Sequence, residues 1–343
     1  MSSPQPPAPG PEALVSRLSA EELKERVLSL AGPADQALEQ TLRSHVPFIE
    51  EVSDYIIFSG GKRLRPVLYL LAAAAAGGQG RPRHAAIFEF LHAATLLHDD
   101  VVDEAGRRRG RPAARTRYGN DAVILVGDFL FSKSYSLAAE VADHRFVSAL
   151  TDCTTIMAEG QVLELLHTGD LELSPARYQE IIVSKTAVLI AAACQMGAIY
   201  AGADQKTVKS LYDYGLALGI AFQMVDDALD YVGSEHEFGK PVGHDLAEGK
   251  ITLPFIEVRD QAPAEVRHRL LELARAIPQD PGVIPQAKEL VRARGGVEHT
   301  FAQARAHALA AQQALIPLLG PGEPAPEMET LLELAPYVVT RRT

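Results

Sequence analysis

Residues 92–103 read His92-Ala-Ala-Thr-Leu-Leu-His98-Asp99-Asp100-Val-Val-Asp103. On a helix, positions three, four and seven apart share a face. His92, Leu96, Asp99 and Asp103 therefore form one stripe, with a cation-capable ring at one end and two carboxylates at the other. Acids this close in an apolar run repel one another, and a divalent cation between them removes the conflict. The pattern returns at Gln223-Met-Val-Asp226-Asp227-Ala-Leu-Asp230. Two such clusters on two apolar helices, facing each other, predict a polynuclear metal site in an enzyme that handles a diphosphate.

Outward from this stretch the chain reads as helices. Ala- and Leu-rich segments, with β-branched residues mostly inside periodic runs, favour them. Helices are expected over 20–31, 34–58, from Pro66 to about 76, 82–103, 121–142, 144–167, 175–202 and 205–233, with shorter ones from 251 onward. Gly60-Gly61 ends the second, and Pro66 suits a first turn. Residues 104–120 and 233–250 read as polar loops, one after each acidic cluster, and 278–285 and 320–326 as turns. Residues 1–14 (MSSPQPPAPGPEAL) are rich in Pro and Ser and are expected to be a disordered tail. No interdomain linker is visible, so residues 15–343 are expected to form one all-α domain, a single-domain helical bundle.

Composition excludes some roles. The 343 residues are 47% hydrophobic, enough for a large core. A net charge of −11 argues against a nucleic-acid partner, which calls for a basic face. Only Cys153 and Cys194 are present, in no ligand-like pair, which fits a reducing, cytoplasmic setting. No run of eighteen apolar residues lacks a charge, so no integral membrane segment is expected.

Magnesium takes oxygen ligands, keeps several waters and joins one or two carboxylates to substrate phosphates. Asp99 with Asp103, and Asp226 with Asp230, offer carboxylates one helical turn apart. Asp100 and Asp227 point about 100° away. A single such cluster could equally be a solvated helix end; the repetition favours metal. A calcium-binding loop fits poorly, because the flanks are apolar and helical. Cations for the phosphates come from Lys62, Arg63 and Arg65 beside a helix start, and from Arg107-Arg108-Arg109-Gly110-Arg111. Lys185-Thr186 lies in an Ala/Ile-rich helix, where a lysine is costly unless an anion meets it. Lys240 and Lys250 in the second loop extend the supply.

In order along residues 30 to 342, GGKRLRP, HxxxLLHDDVVD, RRGRP with YGN and GDFL, KT, FQxVDDxLDY and FGKPVGxDLxEGKITLP resemble the polyprenyl synthetase family of trans-isoprenyl diphosphate synthases. The resemblance implies an isoprenoid-synthase bundle around a deep central cavity, a homodimer, and condensation of isopentenyl diphosphate with an allylic diphosphate. It further implies that Lys62, Arg65, His92 and Arg109 hold isopentenyl diphosphate. Arg108, Lys185, Thr186, Gln223, Lys240 and Lys250 would surround the allylic diphosphate, and Asp99, Asp103, Asp226 and Asp230 would be the Mg2+ ligands. Asp99, Asp103, Asp226, Lys185 and Arg108 would carry the chemistry: fixed charges stabilise the departing diphosphate, the second substrate is held nearby, and a proton is lost to the released diphosphate. The chain departs from the family in reading Glu159-Gly160-Gln161-Val162-Leu163-Glu164 where members commonly read EGE-x-x-Q, and in its basic segment 113–117.

Thr95 and Ala94 lie four and five residues before Asp99, roughly 6 to 7.5 Å down the helix. In the family a bulky aromatic at the equivalent of Ala94 stops elongation early. Small residues here imply a deep tunnel and a long, octaprenyl-like product, against the alternative of a geranylgeranyl or farnesyl product. A terpene cyclase would not be expected to carry the second cluster together with Lys62, Arg65, His92 and Arg109. A non-catalytic partner subunit would be expected to have lost acids, and both clusters are complete.

Overall fold

The computed structural model describes residues 18–232 and 243–340. The 1–14 tail and Lys240 lie outside the described residues.

Ser19 opens the first helix, α1 (Ala20–Thr41), through a reciprocal cap in which its hydroxyl accepts the Glu22 amide while the Glu22 carboxylate accepts the Ser19 amide. α1 runs through Pro33, so the expected break between 31 and 34 is wrong. A proline costs a helix one hydrogen bond, but Ala31, Ala34, Ala37 and Leu38 on one face are buried and hold the helix to the core. The break falls instead before Pro47, at the first turn of α2 (Pro47–Ile57). Next come α3 (Leu64–Ala75) and α4 (Pro82–Val102), whose last turns carry the first acidic cluster.

The expected loop 104–120 contains order. Arg107–Arg108 (β1) pairs antiparallel with Arg111–Pro112 (β2), and a short helix, α5 (Ala114–Tyr118), follows. Arg109 and Gly110 both have positive φ, 50° and 75°, as a two-residue hairpin turn requires. The hairpin thus turns its arginines back over the end of α4. Then follow α6 (Asn120–Ala138), α7 (His144–Leu166) and α8 (Pro175–Ile182).

The expected helix 175–202 is continuous but not uniform. Val183–Ala187 forms one π-helical turn between α8 and α9 (Val188–Tyr200), and Lys185 and Thr186 sit on it. Eleven of the thirteen α9 residues are buried, as befits a helix apolar on every side. α10 (Gln205–Val232) carries the second cluster and packs on α9 and on the helix Gly296–Leu315. The glycines at 219 and 215 permit α10 to approach the π-helical turn and α9: a Cβ on Gly219 would stand 2.6 Å from the Ala187 Cα, and one on Gly215 2.7 Å from the Ala191 Cα.

The buried side chains form one continuous core drawn from nearly every helix, and the small hairpin holds the only strands among the described residues. The fold is all-α. One helical stretch, Pro175–Tyr200, is long and apolar enough to cross a membrane, yet 72% of its most apolar window is buried within the fold.

Candidate active site

The C-terminal turns of α4 and α10 open onto one cavity of about 800 Å³, whose walls include Asp99, Asp103 and Asp226. The two clusters, more than 120 residues apart in sequence, share a mouth.

Ammonium groups lie among the acids. Lys185 Nζ donates to the Glu164 carboxylate and stands 3.8 Å from Asp99 Oδ2. Lys250 Nζ donates to Asp103 Oδ2 at 3.0 Å and to Glu248 Oε2 at 2.7 Å, tying the first cluster to the segment behind the second. Burial holds the Asp99 carboxyl above its ordinary range; Lys185 opposes this and the neighbouring Asp103 and Glu164 reinforce it. Burial works against the Lys250 ammonium, but Glu164, Glu248 and Asp103 more than offset it, so its pKa is raised. Burial also opposes ionisation of Glu248, yet the His244 hydrogen bond and the Lys250 charge hold its carboxyl down to about 2.

A cationic wall faces the acids. Arg65, His92, Arg108 and Arg109 all line the cavity. Arg65 Nε is buried with no hydrogen-bond partner. Arg109 reaches across to the Gly60 carbonyl and to Ser59 Oγ at 3.2 Å, joining the hairpin to the turn before α3. His92 is held well below its ordinary pKa by burial and then by Arg65, Arg109, Arg108 and Arg63, so it presents a neutral ring. Arg108 Nε donates to Asp100 Oδ1 at 2.5 Å, which accounts for Asp100: it anchors the hairpin and is fully buried. Lys62 is exposed and is not on the cavity wall. Arg63 belongs to the scaffold, its guanidinium donating to Asp35 and to Glu89 at 2.6 Å each.

The second cluster divides its labour. Thr186 Oγ1 donates to Gln223 Oε1 at 2.9 Å, and Gln223 Nε2 donates to Asp227 Oδ1 at 2.8 Å. The Tyr178 hydroxyl donates to Asp227 Oδ2 at 2.5 Å. Burial pushes Asp227 up to about 7 against those bonds, with Asp226 and Asp230 adding to it. Asp227 is therefore a buried tie between α10, α8 and the π-helical turn. Asp230 does not reach the cavity wall: its carboxylate accepts the backbone amides of Gly243, His244 and Asp245 at 3.3, 3.2 and 3.1 Å. These bonds fix the start of the helix His244–Ala247.

No three His, Cys, Asp or Glu side chains among the described residues converge as a preformed metal cage. The donor set nevertheless suits a hard cation. Asp99, Asp103 and Asp226 offer carboxylate oxygens around one opening, and the lysines among them show that this space accepts positive charge. Magnesium commonly completes its shell with water and substrate phosphate, so a full protein cage is not required.

Several wall residues escaped the sequence reading. Asp245 and Glu248 line the cavity; both lie inside the GHDLAEGK stretch, from which only Lys250 was taken. Glu164, noticed only as a departure, is the partner of Lys185, while Gln161 lines the cavity one turn away. The exchange of acid and amide thus puts the negative charge under the Lys185 ammonium. Thr95 is on the cavity wall, whereas Ala94 is fully buried and off it. Phe131 and Tyr135, to which no motif pointed, carry the cavity downward with Thr154 and Met157 between α6 and α7.

Known proteins resemble this chain in sequence and fold. The polyprenyl synthetase family model matches residues 46–291. The octaprenyl diphosphate synthase of Haemophilus influenzae is 43% identical over 247 residues, 70% of this chain and 75% of that protein. The octaprenyl diphosphate synthase of Escherichia coli is 38% identical over 316 residues, covering 91% of this chain and 95% of that one. The crystal structure of a polyprenyl synthase from Caulobacter crescentus, complexed with calcium and isoprenyl diphosphate, superposes with a TM-score of 0.85 at 38% identity, across 93% of this chain and 98% of that one. With both acidic clusters at one cavity and the match running nearly end to end, this chain belongs to the polyprenyl synthetase family.

Proposed function

We propose that the protein is a trans-polyprenyl diphosphate synthase that condenses isopentenyl diphosphate with an allylic diphosphate, repeatedly, to a long, octaprenyl-like chain. The observation that carries this reading is the single cavity: carboxylates and cations of both clusters at its mouth, and Leu96, Phe131 and Met157 below them. Charge is handled at the top and hydrocarbon has an apolar place to go.

Asp99, Asp103 and Asp226 are proposed as the magnesium ligands; Asp230, the fourth candidate, would first have to leave the amides it now accepts. Bound magnesium supplies positive charge to the leaving diphosphate. Lys185, Arg108, Thr186, Gln223 and Lys250 orient that diphosphate, and Lys240 joins them on the motif alone. Arg65, Arg109 and Lys62 hold isopentenyl diphosphate, with neutral His92 as a hydrogen-bonding group. Cations fixed in advance around the departing group stabilise the separation of charge without rearranging. The walls hold the second double bond against the allylic carbon and exclude water.

Residues 15–343 are proposed to work as one domain, in the cytoplasm, as a homodimer. Support for the dimer is an apolar surface on α6 and α7, where Leu125, Val162, Leu165 and Leu166 are exposed. Sedimentation velocity is expected to give twice the chain mass; a monomer removes that part of the proposal.

Purified protein is expected to incorporate radiolabelled isopentenyl diphosphate onto an allylic primer, to lose that activity to a chelator, and to regain it with Mg2+. Chromatographic sizing should show a long polyprenyl diphosphate. A cyclic hydrocarbon, or no incorporation, would overturn the proposal.

A further inference from the structure

The apolar shaft beneath the mouth is crossed by one hydrogen bond between helices. α6 runs down from the mouth antiparallel to α4, with the Ile124 carbonyl 3.2 Å from His98 Nε2 near the top and Ser134 Oγ 3.4 Å from the Ile87 carbonyl below. Lower still on the lining, Tyr135 Oη stands 2.6 Å from Thr154 Oγ1 of α7. Thr154 is ten residues from Glu164 along α7, a depth of about 15 Å. That is far short of an extended octaprenyl chain.

The proton positions follow from the partners. Thr154 Oγ1 lies 3.1 Å from both the Leu150 and Thr151 carbonyls of its own helix, which take its single proton. Tyr135 is therefore the donor to Thr154. If the two part, Thr154 keeps its own-helix bond, and the hydroxyl of Tyr135, a residue 37% exposed and on the cavity lining, is not left in a sealed core. Opening breaks one bond between neutral groups and strands no buried polar atom.

We propose that Tyr135 and Thr154 form a latch across the α6–α7 seam, which the growing hydrocarbon must part, and that its strength sets the product length. This rests on the elongation reading above. A short chain fits above the closed latch; each longer one must displace the tyrosine ring, and release competes with that step.

The test is product sizing after incubation of the full-length protein with isopentenyl diphosphate, Mg2+ and a farnesyl primer. Tyr135→Ala removes ring and bond and is expected to move the main product up by at least one prenyl unit. Tyr135→Phe and Thr154→Val each delete the same hydrogen bond while keeping the side-chain bulk. They are expected to produce the same, smaller upward shift as each other, with total isopentenyl incorporation within about twofold of wild type. That matched shift is something a merely structural role would not give. Elongation in all three variants with unchanged or shorter products would overturn the latch and leave the reaction standing. Wild-type protein that incorporates no isopentenyl diphosphate would overturn the reaction, and the latch with it.

Discussion

Neighbouring aspartates here do different work, and their partners say which. Asp226 lines the cavity, while Asp227, next to it on α10, is buried against Tyr178 and Gln223. Substituting Asp226→Ala is expected to lower turnover by roughly two to three orders of magnitude, the scale of losing one preorganised charge contact. Circular dichroism and the melting temperature should barely change, because the side chain faces the cavity. Steady-state kinetics at a near-normal rate would remove Asp226 from the chemistry. The motif spacing was enough to mark Asp99, Asp103 and Asp226, since a four-residue repeat on a helix puts carboxylates on one face. It could not separate them from Asp230, whose three amide donors come from a segment that only the folded chain brings to it.

At the scale of elements, the site depends on how closely helices can approach. α10 lies against the π-helical turn at Gly219, and that turn carries Lys185 and Thr186. Gly219→Ala would drive a methyl group to 2.6 Å from the Ala187 Cα and 2.8 Å from its Cβ. Main chain cannot swing aside as a flexible side chain can, so the helices must part, at an expected cost of about 1–3 kcal/mol. Asp226 lies two turns further along α10, so turnover should fall together with stability; urea unfolding and kinetics on the same preparation check both, and unchanged midpoints would contradict the close approach. Helix positions were largely legible from periodicity, including α4, α7 and α10. The π-helical turn was not, because the helix after it is apolar on every side and has no stripe to register the change of phase that one extra residue brings. Nor was the run of α1 through Pro33, where buried alanines outweigh one lost hydrogen bond.

Over the whole molecule, stability depends on rings the fold keeps neutral. Burial lowers the pKa of His84, His92 and His307, with nearby arginines adding to the effect at the first two. The unfolded chain takes up protons on these rings near pH 6.5. Their contribution is therefore whole above that pH and is lost as the pH falls below it. Asp227, pushed up to about 7, titrates in the opposite sense, so the histidine contribution is read as a difference. The stability gap between wild type and His84→Leu, measured by calorimetry, is expected to shift against the wild type between about pH 7.5 and about pH 5.5; a constant gap would show that His84 does not couple folding to protons. The all-α class, the two acidic clusters, the cationic supply and the reaction they imply were already determined by the amino-acid order, because helical periodicity and short motifs are local properties of the chain. The common mouth of the clusters, the Glu164–Lys185 pairing, the diversion of Asp230 to backbone amides and the Tyr135–Thr154 bond across the shaft were decided only by the tertiary structure, because each depends on which distant helices pack together and how closely they approach.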